Sequence, residues 1–319
     1  MIVTVTVNTA LDVTYLLDRI TPGEAHRVPK VLARAGGKGV NVSRVLSALG
    51  APTTVCGFAG GATGSEVAAE LADAGMTSVL VPTSGPTRRT VTAVDRSAGT
   101  STAFYEPGPE IDDAEWRQLD AAVLELLKDA SMLVLAGSLP EGAPAATWER
   151  MCRMGREAGV PTVLDSSGPA LVAALDEHLL AVKPNEHELV DLAGHISAAG
   201  DPPAGPPLDV PTALALTRRL QARTTGLAVT TLGARGLLAV LPDGQALLAR
   251  PPQVAGNPVG AGDAVTAGIA LGLTGSESPT TWLPRAAALG SAAVLADQAG
   301  DVALDHLDAL SARTTLELL

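Results

Sequence analysis

The chain is poor in aromatics, cysteines and lysines, and each shortage removes a class of function. Only 2% of its 319 residues are aromatic, so it lacks the stacking platforms on which single-stranded nucleic acids are read. A formal net charge of −12 argues the same way, because nucleic-acid binders need a basic surface against phosphate. The two cysteines, Cys56 and Cys152, supply neither a disulfide framework nor metal-ligand spacing; they read as reduced thiols in a cytoplasm. No leader peptide is expected, since Met1–Asn8 alternates Val and Thr without a basic start. Nearly uncharged apolar runs such as Ala286–Ala296 are too short to span a bilayer. A soluble, cytoplasmic protein with no nucleic-acid or membrane partner is expected.

What is present is a large apolar fraction, 46%, against 18% charged residues, enough for a sizeable core. Ile2–Val7 alternates like a strand, and Val42, Val45, Leu46 and Leu49 form a helical stripe closed by Gly50. Ser131–Ala136, Val160–Leu164, Leu179–Val182 and Leu227–Thr231 are short apolar runs. They alternate with helical patterns over Asp112–Lys128, Ala145–Ala158 and Thr212–Thr224. Apolar strands separated by helices predict a three-layer α/β/α domain with a mostly parallel central sheet. Polar groups follow those runs: Gly137-Ser138, Asp165, Lys183-Pro184-Asn185 and Gly233. In open α/β sheets that is the ligand side.

Two segments break the rhythm. Asp12–Ala35 and about Gly85–Glu106 read as β-rich, with turns at Thr21-Pro22-Gly23 and Ser97-Ala98-Gly99. They predict a small β-sheet lid inserted in a single domain spanning residues 1–319. Its uncovered edge could pair with a second copy, so a homodimer through the lid is expected. Ordinary edge hairpins are the plainer alternative. His195–Pro211, rich in Pro, Gly and Ala, reads as a surface loop.

Chemistry concentrates in two glycine motifs. Gly256 to Asp263 reads Gly-Asn-Pro-Val-Gly-Ala-Gly-Asp and runs into a helical pattern, Ala264–Leu273, in which Val265, Ile269 and Leu273 share one face. A glycine turn entering a helix leaves N–H groups free, and with the helix dipole these attract phosphate oxygens. Asp263 beside them could take a proton from an attacking hydroxyl, or serve only as an N-cap. The second motif, Ala35 to Asn41, reads Ala-Gly-Gly-Lys-Gly-Val-Asn and combines close backbone approach with the Lys38 cation and the Asn41 amide. Only four lysines occur, at 30, 38, 128 and 183, against eighteen arginines. Two of the four lie inside motifs, where a mobile point charge suits phosphate. No Gly-x-x-x-x-Gly-Lys-Ser/Thr occurs, which excludes a P-loop kinase. Val7–Asp12 contains no glycine, which argues against a dinucleotide-binding fold.

Ala35–Arg44, Lys183–Glu188 and Gly256–Gly272 together resemble the PfkB carbohydrate kinases of the ribokinase-like fold, over essentially the whole chain. Thr6–Asp12, Glu106–Pro109, Ala136–Gly142 and Leu164–Gly168 are similar to the branch that holds 1-phosphofructokinase, tagatose-6-phosphate kinase and the minor 6-phosphofructokinase. The resemblance implies an ATP-dependent kinase with Asp263 as general base and an anion hole from the N–H groups around Ala261, Gly262 and Asp263, with Gly260 in the same catalytic loop. It also implies ATP contacts from Lys183, Asn185, Thr231, Gly233, Gly236 and Gly262. Asn185 and Glu188 match the Asn-x-x-Glu pattern that organises Mg²⁺, often through water; helix-start capping is their plain alternative. Asp12, Gly37, Lys38, Asn41 and Ser138 are the implied acceptor contacts. Arg88 and Arg27 would grip a sugar phosphate, Arg27 from a neighbouring subunit's lid. Fructose 1-phosphate is the first expected acceptor, tagatose 6-phosphate the second and fructose 6-phosphate the third, followed by an unphosphorylated sugar or nucleoside. A non-catalytic sugar- or nucleotide-binding regulator is the alternative of a different class, but it predicts loss of Asp263 or the glycines. The chain departs from the family pattern at Ala264 and Val265 and at Gly256-Asn257-Pro258, which bears on substrate specificity.

Overall fold

The computed structural model describes residues 1–196, 205–296 and 298–319. The chain begins with β1 (Ile2–Thr6), β2 (Ala10–Leu17), β3 (Lys30–Gly36) and helix α1 (Lys38–Ala48). Next come β4 (Thr53–Gly60), α2 (Gly61–Asp73), β5 (Thr77–Thr83), β6 (Arg88–Asp95) and β7 (Thr100–Tyr105). Regular alternation follows: α3 (Asp113–Leu127), β8 (Met132–Ala136), α4 (Thr147–Glu157), β9 (Thr162–Asp165), α5 (Gly168–Ala174) and β10 (Ala181–Val182). Then α6 (Glu186–Ile196), α7 (Val210–Gln221), β11 (Leu227–Thr231), β12 (Leu237–Val240) and β13 (Ala246–Arg250) lead to the C-terminal part. It consists of α8 (Ala261–Thr274), α9 (Pro279–Val294), α10 (Leu304–Arg313) and β14 (Thr315–Leu318).

Ten strands form one sheet in the order β14-β13-β12-β11-β10-β9-β8-β1-β4-β5. From β11 to β5 every pair is parallel, and β11 to β14 are antiparallel. The middle strands must be apolar on both faces because both are covered. Thus all five residues of β8 are buried. Leu133 and Leu135 face the core beneath α3 to α7, while Met132 and Val134 face the one beneath α1, α8, α9 and α10. This is the three-layer α/β/α fold that the alternation predicts. The antiparallel extension is not visible in that alternation; its hairpin turns at Gly244, whose φ is +85°.

A second sheet, in the order β3-β2-β6-β7, stands apart from the first. Strand periodicity sorts its two faces. Leu11 and Val13 join Val40, Val67 and Leu71 in a small core with α1 and α2. Asp12, Thr14 and Leu16 line a cleft on the other face. Asp12 lies directly opposite Arg34 on one side and Thr90 on the other.

Helix α8 is buried nearly all round because α9 packs close against it. A Cβ at Gly272 would lie 2.4 Å from Trp282 Cβ, so glycine is what lets the two helices meet. The loop expected over His195–Pro211 is shorter than its composition suggests. His195 and Ile196 end α6, and Val210 and Pro211 open α7. Proline is tolerated in a first helical turn, and the Asp209 carboxylate accepts the Thr212 N–H at 2.8 Å. Residues 197–204 of that expectation lie outside the described residues. Among the described residues no helix is long and apolar enough to cross a membrane.

Candidate active site

A cleft of about 1180 Å³ opens where the carboxyl ends of β1, β8, β9 and β10 face the small sheet. The Asp263 end is built by a turn and a helix start. Gly260, at φ +86°, turns the chain into α8. A Cβ there would lie 2.9 Å from Ala299 Cα, so only glycine allows the loop to lie this close. The Ala261 N–H is bonded to the Pro258 carbonyl at 3.2 Å. Among the described residues no backbone carbonyl takes the N–H groups of Gly262 and Asp263. Of the three expected anion-hole donors, these two stay available at the positive end of the helix.

Asp263 is 6% exposed, and its Oδ2 accepts the Asn41 side-chain N–H at 2.8 Å. Burial first, and then the neighbouring Asp165 charge, push its carboxyl up to about 7, against the Asn41 hydrogen bond and the charges of Lys38 and Lys183. Asn41 comes from α1, whose start is set by Gly37 at φ +106°. The Asn41 Oδ1 is buried with no partner among the described residues.

Asp165, at the end of β9, organises the cations. Fully buried, it receives Lys38 Nζ on Oδ1 at 3.0 Å and Lys183 Nζ on Oδ2 at 3.0 Å. Thr266 Oγ1, one turn after Asp263, donates to the same Oδ2 at 2.6 Å. Burial alone would raise the Asp165 carboxyl, yet the two lysines and Thr266 outweigh it and hold it at about 2. Lys38 is raised in turn, chiefly by Asp165. The pairing gathers two of the four lysines beside Asp263.

At the start of α6, the Asn185 N–H donates to Glu188 Oε2 at 2.8 Å, and the Glu188 N–H donates to Asn185 Oδ1 at 2.9 Å. That reciprocal pair is a capping box. It leaves Glu188 Oε1 in the cleft, 3.4 Å from Lys38 Nζ.

The other end lies against the small sheet. Thr90 Oγ1 donates to Asp12 Oδ1, and a Cβ at Gly36 would run into the Asp12 carboxylate at 2.0 Å. Burial raises the Asp12 carboxyl, opposed by Thr90 and by the charges of Arg88, Arg34 and Arg44. Arg88 Nε donates to the Asn8 carbonyl at 3.3 Å, and Asn8 Nδ2 donates to Ser138 Oγ at 3.2 Å. Burial lowers the Arg88 pKa, against the attraction of Asp12.

The cleft thus brings together Asp12, Gly37, Lys38, Asn41, Arg88, Ser138, Lys183, Asn185, Glu188, Thr231, Gly260, Gly262 and Asp263. Gly233 and Gly236 stand outside its lining and shape the turn after β11, where the Leu232 N–H donates to the Gly236 carbonyl at 2.8 Å. Arg27 is exposed between β2 and β3 and does not line its own cleft. Asp165, Arg34, Thr90 and Asn8 line the cleft without having been singled out as site residues. Only Asp165, a carboxylate ending an apolar strand, carried a signal that could have marked it.

These features suit a kinase-type cleft, with unpaired N–H groups at a helix start and a buried carboxylate near two lysines. The family model described as "pfkB family carbohydrate kinase" matches residues 4–306. The chain belongs to that family and is an ATP-dependent phosphotransferase. It is 37% identical to a 1-phosphofructokinase of Xanthomonas campestris pv. campestris over 276 residues, covering 85% of this chain and 83% of that protein. It is 30% identical to a tagatose-6-phosphate kinase of Staphylococcus epidermidis over 310 residues, covering 97% and 96%. Among solved structures, phosphofructokinase-2 from Escherichia coli, in complex with potassium, superposes with a TM-score of 0.88 at 28% identity and covers 98% of each chain.

Proposed function

We propose that this kinase phosphorylates a hydroxyl of a ketohexose phosphate, fructose 1-phosphate before tagatose 6-phosphate or fructose 6-phosphate. The observation that carries the reading is Arg88. It is a partly buried guanidinium at the small-sheet end of the cleft, bonded to the Asn8 carbonyl and beside Asp12. Burying a cation is costly unless a charge answers it, and a sugar phosphate supplies one. The identity to a 1-phosphofructokinase supports taking that acceptor first.

In this reading the acceptor lies between Asp12, Asn41, Ser138 and Arg88. Its hydroxyl oxygen bonds to the γ-phosphorus, the bond to the ADP oxygen breaks, and the hydroxyl proton passes to Asp263. The free N–H groups of Gly262 and Asp263 face the charge that develops on the γ-phosphoryl group. Lys38 and Lys183, held by Asp165, stand where phosphate charge must be met. Asn185 and Glu188 suit Mg²⁺. Among the described residues no cluster of three His, Cys, Asp or Glu could cage a bare cation. One carboxylate beside phosphates fits an ion that keeps its waters. Bound there, Mg²⁺ would neutralise phosphate charge. The small sheet serves as a lid that excludes water, and its free edges suit a homodimer. Cytoplasmic work on soluble sugar phosphates follows from this reading.

The experiment is a panel of the three ketohexose phosphates against free fructose, ribose and nucleosides, read as ADP release, with Arg88→Ala beside the wild type. We expect the variant to raise KM for the sugar phosphate about tenfold or more, with less effect on ATP, since each charge-assisted contact contributes roughly 1.5–3 kcal/mol. Faster turnover of an unphosphorylated sugar would overturn the reading.

A further inference from the structure

Arg34 of β3 reaches out of the small sheet to Asp301, 267 residues away, in a bidentate ion pair. Its Nη1 donates to Asp301 Oδ2 at 2.9 Å and its Nη2 to Asp301 Oδ1 at 3.0 Å. The arginine side chain is 11% exposed and the aspartate 45%. Both prongs of a guanidinium on one carboxylate fix orientation as well as distance. At each end this pair meets the reaction. On the sheet side, Arg34 lies directly opposite Asp12 and lines the cleft, and its charge is felt by the Asp12 carboxyl. On the other side, Asp301 follows Ala299 and Gly300, the residues against which the anion loop is built. A Cβ at Gly260 would lie 2.9 Å from Ala299 Cα and 3.0 Å from Gly300 N. The same segment touches α1, for a Cβ at Gly300 would lie 3.0 Å from Asn41 Oδ1. Asn41 in turn holds Asp263.

A single short segment, residues 299–301, is therefore wedged between the turn that opens α8, the amide that holds the base, and the sheet that carries Asp12. We infer that the Arg34–Asp301 pair is a positioning strut that sets the γ-phosphoryl site according to the place of the small sheet, so that phosphoryl transfer goes to the sugar and not to water. The inference rests on the acceptor lying against the small sheet, as proposed above. Without the strut the sheet and the anion loop can take their places independently, and a water reaches the γ-phosphorus while the acceptor is misaligned. In that side reaction the water oxygen bonds to the γ-phosphorus, the bond to the ADP oxygen breaks and the water proton passes to Asp263, leaving ADP and inorganic phosphate.

The test compares Asp301→Asn, Arg34→Met and the double variant with the wild type, using fructose 1-phosphate and MgATP. ADP and sugar bisphosphate are quantified separately. Asp301→Asn keeps the shape of a half-exposed side chain, so it folds even if the more buried Arg34→Met does not. It also leaves the Arg34 charge beside Asp12, which separates loss of the strut from loss of a cleft cation. Wild type should form one bisphosphate per ADP. In Asp301→Asn the ADP yield should rise to about twofold or more over bisphosphate, and transfer kcat should fall roughly tenfold, as expected for a small misplacement far from the chemistry. KM for ATP should change less than about twofold. The double variant should be no worse than Arg34→Met, because once the arginine is gone the strut is already broken. A ratio of one in Asp301→Asn would overturn the inference, and so would additive losses in the double variant. If the wild type prefers another acceptor in the panel, the substrate assignment fails, and the same ratio read on that acceptor still decides the strut.

Discussion

At the residue scale the question is how a carboxylate becomes a useful base. In water an aspartate is deprotonated near neutral pH but too weak to draw a proton from an alcohol, and a base tuned close to the working pH performs better. Here burial and the Asp165 charge push the Asp263 carboxyl to about 7. The sign follows directly. Below about 7 Asp263 holds a proton and cannot accept one, so kcat/KM should fall about tenfold per pH unit on the acid side and level off above it. A pH profile measured at fixed free ATP, with Mg²⁺ in excess, checks this. A flat profile through 7 would remove Asp263 from the role. Asp263→Asn should lower kcat by about 10²–10⁴-fold while ATP binding, read by calorimetry, stays close to wild type. The same scale shows where sequence reading stops. Asp263 was legible because its glycines surround it in the chain. Asp165 was legible only as a polar residue on the ligand side, because the lysines that give it meaning sit 127 and 18 residues away. Arg34 carries no local mark at all.

At the scale of elements, the start of α6 shows how one pair of residues serves two ends. Asn185 and Glu188 cap the helix reciprocally, and the same carboxylate turns its second oxygen to the cleft. The two functions separate under Glu188→Gln. A glutamine oxygen still accepts the Asn185 N–H, so the cap persists and Tm should move little, where full loss of a cap costs about 0.5–2 kcal/mol. Removal of the charge should raise the Mg²⁺ concentration for half-maximal activity about tenfold. A large drop in Tm with an unchanged Mg²⁺ requirement would reduce Glu188 to a cap. Elements were otherwise legible in proportion to their periodicity. The runs now seen as β8, β9 and β11, and the stripes of α1, α3 and α8, stand out because packing on both faces leaves only apolar choices. The run Leu179–Val182 also stands out, though only Ala181–Val182 of it pairs as β10, whereas the hairpin of β12 and β13 is too short for a pattern to accumulate.

At the scale of the whole molecule, the small sheet has no strand beyond β3 or β7 among the described residues, and it carries exposed Val31, Phe104 and Tyr105 at 53%, 59% and 73%. An open sheet edge with apolar side chains is a template for another chain, and a two-fold dimer closes it on itself. Arg27 gives this proposal a functional readout, since it is exposed and absent from its own cleft. If it serves the partner's acceptor site, Arg27→Ala subunits keep a working Asp263 but lack the cation, while Asp263→Asn subunits lack the base but still supply Arg27. Each variant alone should be slow at low sugar-phosphate concentration. After mixing and reassortment, half the dimers are mixed and each holds one complete site, so activity should recover to about a quarter of wild type. Sedimentation of the mixture should show one dimeric species throughout. A mixture no faster than the mean of its two components would place Arg27 outside the site and leave the sheet edge without a catalytic reason to pair.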